Sequence, residues 1–180
     1  MSEHYRQVYE QADTIYDLAQ LQEAIAAMAG QLNQRLVDEE PLVVCVMNGG
    51  LVFSGLILPH FSFLMSLDYV HATRYGNKTV GTELTWLKQP SVDPKGRKVV
   101  ILDDIFDEGF TLKSIVGKYQ EMGASEVITA VLAVKEGTQK TDLRIDYQGV
   151  VVPNRYVFGF GMDYKGYFRN LPGIYAVKDS

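Results

Sequence analysis

Asp103, Asp104 and Asp107 are the residues of this 180-residue chain best placed to do chemistry. They stand in the segment Val99-Val100-Ile101-Leu102-Asp103-Asp104-Ile105-Phe106-Asp107-Glu108-Gly109-Phe110-Thr111-Leu112. Val99 to Leu102 suits a buried parallel strand, and the acidic pair falls where that strand would leave the sheet, the end at which open α/β sheets hold ligands. Gly109 and Thr111 lead into Leu112, Ile115, Val116 and Tyr119 at helical spacing, with Gly123 as the stop. A turn that opens a helix offers unpaired N–H groups and a positive dipole end to a phosphate. Adjacent carboxylates accept hydrogen bonds from a vicinal diol. Together these features point to a sugar phosphate. A solvated acidic loop is the plainer reading of the Asp pair taken alone.

The positioning elements follow from periodicity. Ile15, Leu18, Leu21, Ile25, Met28, Leu32 and Leu36 recur at three- and four-residue spacing, predicting a long amphipathic helix capped by Asp17 or Thr14. Leu42 to Met47 reads as a strand ending in Asn48-Gly49-Gly50, and an apolar stretch, Leu51 to Leu58, stops around Pro59. Strand, glycine turn and helix therefore occur twice. Leu67 to Thr73 is a further strand, Val127 to Val134 another ending at Lys135, and Val150 to Val152 precedes Pro153. Between Arg74 and Arg97, with Gly76, Asn77, Gly81, Pro90, Pro94 and Gly96, helical period is absent, which predicts a long loop or loose hairpin able to act as a lid. No repeat or linker interrupts the chain. The expectation is one α/β domain over 1–180, with a mostly parallel sheet of about four or five strands forming a core over about 38–150. A smaller hood is expected from about 1–15 and 151–180.

Composition fits a soluble enzyme. At 47% hydrophobic, 180 residues can bury one α/β core, and a formal net charge of -5 argues against general affinity for nucleic acid or anionic membrane. The one cysteine, Cys45, lies in an apolar run and can form no intrachain disulfide, which suits a reducing compartment. No stretch approaches the ~20 apolar residues that span a bilayer, and the first residues lack a signal-peptide core. A cytoplasmic location is expected.

The fourteen-residue segment resembles the phosphoribosyl-pyrophosphate signature of the type I phosphoribosyltransferases, and three further segments extend the likeness to the hypoxanthine-guanine branch. Met47-Asn48-Gly49-Gly50 resembles its pyrophosphate loop, and Arg74-Tyr75-Gly76 the start of its flexible catalytic loop. Val134-Lys135 and Tyr156 to Arg169 resemble its purine-binding half. The resemblance implies the type I phosphoribosyltransferase fold, a central mostly parallel sheet flanked by helices with a hood from the two ends. It also implies transfer of 5-phosphoribose from phosphoribosyl pyrophosphate to N9 of hypoxanthine or guanine, giving IMP or GMP and pyrophosphate, with Mg²⁺ bound.

Residue by residue, the resemblance implies that Asp103 and Asp104 hold the ribose hydroxyls, directly or through the metal, and that Asp107 is the general acid/base facing N7. For Asp107, helix N-capping is the alternative. Asp107, Glu108, Gly109, Phe110 and Thr111 would cradle the 5-phosphate. The pattern has Thr where this chain has Glu108, whose carboxylate repels a phosphate unless it points away. Met47, Asn48 and Gly49 with Arg169 would bind pyrophosphate; several relatives carry a basic residue at the place of Asn48, and many hold the peptide matching Met47-Asn48 in the cis form. Tyr156 and Met162 would sandwich the purine, Lys135 would donate to its 6-oxo group, and Val157 would meet it through the backbone. Asp163 would hold a second Mg²⁺ or lie near the 2-amino group. Tyr75 would close over the site, with Arg74 beside it. The resemblance further implies a homodimer or homotetramer. Two alternatives remain: a xanthine-preferring enzyme, or a non-catalytic nucleotide-sensing or RNA-binding regulator on the same fold.

Overall fold

The structure, a computed structural model, describes residues 2–74 and 84–178. Two sheets organise it. The larger has six strands in the order β4-β3-β2-β5-β6-β7: β2 Leu42–Met47, β3 Ser66–Arg74, β4 Leu84–Lys88, β5 Lys98–Phe106, β6 Glu126–Lys135 and β7 Tyr147–Val152. All neighbours run parallel except β3 and β4. The smaller sheet joins the ends of the chain: β1 Asp13–Tyr16, β9 Ile174–Ala176 and β8 Val157–Phe158, all antiparallel. The larger sheet has six strands where about four or five are expected from the strand pattern. β4 is short and half-exposed, so its alternation is hidden in the Arg74 to Arg97 stretch, and it closes a hairpin on β3.

Among the described residues four α-helices complete the fold: α1 Glu3–Gln11, α2 Leu18–Arg35, α3 Gly50–Ile57 and α4 Phe110–Glu121. Asp17 caps α2 reciprocally, its Oδ1 accepting from Gln20 N–H at 2.9 Å while Gln20 Oε1 accepts from Asp17 N–H at 3.0 Å. Ile15 shares the apolar period but belongs to β1, because β1 packs on the same core as α2. Leu21, Ile25, Met28 and Leu32 of α2 and Phe53 and Ile57 of α3 cover one face of the large sheet with Val43, Val100 and Leu102. Leu112, Ile115, Val116 and Tyr119 of α4 cover the other with Val44, Val70 and Ile101. Strands buried on both faces read as unbroken apolar runs, as β2 and the first half of β5 do.

From β2 the chain passes through α3 to β3 on one side, and from β5 through α4 to β6 on the other. Strand order thus reverses between β2 and β5, which makes the crevice beyond their carboxyl ends the expected ligand position. β5 pairs with β2 only as far as Leu102, opposite Cys45, but stays paired with β6 through Phe106, opposite Val134. Asp103 and Asp104 therefore lie within the strand rather than beyond it. Their strand is free of β2 on one edge and is held rigid on the other.

Candidate active site

Three cavities of about 270–280 Å³ meet at this splayed edge. The first is lined by Asp103 and by residues 105–112, which include Asp107, Glu108, Gly109, Phe110 and Thr111. The second is lined by Met47, Asn48, Gly49, Asp103, Asp104, Thr111 and Arg169, with His71 and Thr73. The third brings together Asp104, Asp107, Lys135, Tyr156, Val157, Met162 and Asp163. Ile105 lines all three. Residues spread over more than 120 positions of sequence thus surround one acidic centre.

The first cavity lies at the start of α4. Gly109 is the residue before its first turn, with φ of 88° and no side-chain cap on the helix. A Cβ at Gly109 would stand 2.6 Å from Thr141 Oγ1 and 2.8 Å from the Phe106 ring, so glycine is required by both conformation and space. Asp107 is therefore no N-cap. Its Oδ2 instead accepts a hydrogen bond from Lys135 Nζ at 2.7 Å, and both side chains face the third cavity.

In the second cavity the Met47–Asn48 peptide is cis, and Gly49 packs against Asp104. A Cβ there would lie 2.0 Å from Asp104 Oδ2, and one on Gly161, whose φ is 103°, would lie 2.1 Å from the Gly49 carbonyl oxygen. The hood thus rests directly on this loop. Arg169 fastens the contact: Nη1 donates to the Gly161 carbonyl and Nη2 to Asp163 Oδ1, both at 2.5 Å. The second oxygen of Asp163 accepts from Gly166 N–H at 2.7 Å. His71 and Thr73 went unnoticed in sequence, since nothing in a strand pattern says which face meets a cavity.

The third cavity has Tyr156 as an open wall, 51% exposed, backed edge-on by Tyr164 at 5.3 Å, with Met162 buried within. A tight turn from Gly159 to Met162, bonded both ways between their backbones, sets Met162. Phe158 and Phe160 are fully buried core residues. Arg74 ends β3, while Tyr75 lies outside the described residues.

Asp103 and Asp104 are 7% and 9% exposed. Burial and then the neighbouring carboxylate push Asp103 well above the ordinary carboxylate range; burial also raises Asp104, with Asp103 and Arg169 working in the opposite direction. Among the described residues no group of three or more His, Cys, Asp or Glu gathers as a metal cage. Two adjacent, under-neutralised carboxylates do fit Mg²⁺, which usually takes one or two carboxylates and completes its shell with water and substrate oxygens.

Comparison with known proteins agrees with this geometry. Residues 11–165 match the model of the phosphoribosyl transferase domain. The hypoxanthine-guanine-xanthine phosphoribosyltransferase of Tritrichomonas foetus is 33% identical over 168 residues, covering 92% of this chain and 91% of its own. The hypoxanthine-guanine phosphoribosyltransferase of Bacillus subtilis (strain 168) is 30% identical over 160 residues, covering 88% and 89%. A solved hypoxanthine-guanine phosphoribosyltransferase from Bacillus anthracis superposes with a TM-score of 0.87 at 30% identity, over 92% of this chain and 98% of that one. The chain belongs to the type I phosphoribosyltransferase family, in its hypoxanthine-guanine branch.

Proposed function

We propose that the protein transfers 5-phosphoribose from phosphoribosyl pyrophosphate to N9 of hypoxanthine or guanine. The observation that carries this is the Lys135 Nζ to Asp107 Oδ2 contact of 2.7 Å in a cavity walled by Tyr156 and Met162. A 6-oxopurine presents its O6 acceptor beside N7, and a lysine donor next to a carboxylate acceptor complements O6 next to N7–H. Adenine would turn an amino donor toward the ammonium and leave both unpaired, a mismatch that binding sites reject strongly.

In the reaction the C1–N9 bond forms, the bond from C1 to the pyrophosphate oxygen breaks, and the purine gives up a proton. Asp107 accepts that proton at N7. Asp103 and Asp104 hold the ribose hydroxyls while the ring flattens. The turn from Asp107 to Thr111 takes the 5-phosphate on backbone N–H groups, and Met47, Asn48, Gly49 and Arg169 receive pyrophosphate. Tyr156 and Met162 sandwich the base, and Val157 meets it through its backbone. Asp163 holds Arg169 in place. Asp103 and Asp104 would hold Mg²⁺, which would neutralise charge on the leaving group. On this reading the enzyme works as a homodimer or homotetramer, and sedimentation that found only monomer would end that part.

The test is a spectrophotometric assay with phosphoribosyl pyrophosphate and Mg²⁺, offering hypoxanthine, guanine, xanthine and adenine separately. Xanthine belongs in it because the Tritrichomonas foetus relative is named for that base. Turnover of hypoxanthine and guanine, no turnover of adenine and a loss of about 10²- to 10⁴-fold in Asp107→Asn are expected. Equal activity in the variant would remove Asp107 from the proton transfer. Nucleotide binding without turnover of any base would favour the regulatory alternative.

A further inference from the structure

The 5-phosphate cavity poses an electrostatic problem. Among the described residues its lining includes three carboxylates, Asp103, Asp107 and Glu108, and no lysine or arginine. Asp103 and Asp107 have work elsewhere in the reaction, but Glu108 stands where the family pattern has a neutral hydroxyl. Left free, its carboxylate would face a doubly charged phosphate.

The loop between β6 and β7 answers this. Lys140 Nζ donates to Glu108 Oε1, and Lys140 N–H donates to the Glu108 carbonyl at 3.0 Å. Next along the loop, Thr141 packs against Gly109, and Asp142 pairs with Lys113 of α4 at 2.6 Å. Two ion pairs of opposite polarity thus cross from the loop, one to the phosphate turn and one to the helix that follows it. Glu108 also lines a neighbouring cavity of about 430 Å³, together with Asp107, Lys135, Gly137, Gln139, Lys140 and Asn154. Glu108, with Asp107, thus lines both cavities, whereas Lys140 lines only the second.

Both members of the pair are about half-exposed, with side chains 58% and 50% accessible. A pair so open to water does little for stability, so its value lies in where it holds the carboxylate. Resting on the function proposed above, we propose that Lys140 is a positioning residue for phosphoribosyl binding: it draws the Glu108 carboxylate out of the 5-phosphate cradle and neutralises it.

The test is a double-mutant cycle of wild type, Lys140→Ala, Glu108→Thr and the double variant, with Lys140→Arg as the conservative replacement. Lys140→Ala should raise KM for phosphoribosyl pyrophosphate about tenfold at low salt, an effect of the size expected for one uncompensated charge near a dianion. KM for hypoxanthine should stay unchanged. The penalty should shrink at high salt, be absent in Lys140→Arg, and add nothing in the Glu108→Thr background. An unchanged KM in Lys140→Ala, or the same increase in both backgrounds, would overturn the proposal. Calorimetric titration of all five proteins with IMP separates the two readings. IMP affinities that follow the cycle without turnover would sink the reaction and keep the role of Lys140. A wild type that neither turns over nor binds IMP would overturn both.

Discussion

Asp68 and the Asp103–Asp104 pair are three carboxylates of nearly equal burial on the two strands that flank β2, and the fold treats them in opposite ways. Asp68 receives five hydrogen bonds. Lys88 Nζ, Ser91 Oγ and Tyr69 N–H reach Oδ1 at 2.7–2.8 Å, and the N–H groups of Ser91 and Val92 reach Oδ2 at 2.7 and 3.1 Å. Burial alone would raise its pKa, but Lys88 and Ser91 outweigh burial and hold it well below the usual carboxylate range. Asp103 has Asp104 N–H at 3.0 Å, and no lysine or arginine among the described residues forms an ion pair with either member. Their pKa values move up. The chain completes the surroundings of Asp68 by itself and gives the pair no ion-pair partner among the described residues, which suits the ribose and Mg²⁺ binding proposed for it. A buried carboxylate pair with no cationic partner in a cleft points to a binding site; one that is fully paired and hydrogen-bonded acts as a rivet.

Exchanging each carboxylate for its amide sharpens the contrast. Asp104→Asn should cost at least about 10²-fold in kcat/KM for phosphoribosyl pyrophosphate, because the ribose loses a charged anchor. The thermal midpoint of the ligand-free variant at pH 7 should nevertheless rise, since a buried charge has gone. A midpoint that fell as far as in the Asp68 variant would erase the distinction. Asp68→Asn should cost about 3 kcal/mol of stability, since Lys88 and three N–H groups lose an ionised partner. For a chain of this size that is roughly 6–12 °C. Activity measured at 25 °C should survive, and a loss there comparable with that of Asp104→Asn would move Asp68 into the site. Gly49→Ala tests geometry without touching charge. Its Cβ would stand 2.0 Å from Asp104 Oδ2, so a shift of the carboxylate should cost about tenfold or more in kcat/KM, visible in steady-state kinetics.

The difference between these carboxylates also explains what the sequence made legible. Asp103 and Asp104 were readable because their strand, turn and helix are contiguous, and a contiguous stretch keeps its geometry wherever it lies in the fold. Lys135, Tyr156 and Arg169 are carried by separate segments, and only the family likeness brought them together in advance. Asp68 was invisible. Its partners Lys88 and Ser91 come from β4 and the loop after it, where alternation is too short to read, and nothing in the residues around Asp68 tells a buried rivet from a surface acid. Asp17 caps α2 as one of the two readings had it, but the apolar period carries the helix back to Ile15 and stops β5 at Leu102, for a related reason. Apolar period reports burial, and Ile15, Ile105 and Phe106 are covered by neighbours whose positions depend on tertiary pairing.

The smallest predicted effect separates the two kinds of carboxylate by pH. Asp68 has a native pKa below its unfolded value of about 3.9, so its contribution is complete above that pH and is lost as pH falls through the native value. The pair has native values above the unfolded one, so the sign reverses. In that case the folded protein holds protons that the unfolded chain has released. Stability therefore falls as pH rises from about 3.9 through the raised native values, and is regained on acidification. The midpoint difference between wild type and Asp68→Asn should stay constant from pH 8 to about 4.5 and close only below about 4. The difference between wild type and Asp104→Asn should favour the variant at neutral pH and vanish on mild acidification, because a protonated Asp104 resembles the amide. Saturating Mg²⁺ with pyrophosphate should flatten the second curve by stabilising the ionised pair, while leaving the first untouched. Two curves closing in the same pH range would show that both carboxylates are structural, and the assignment of the pair to ribose and metal would fall with them.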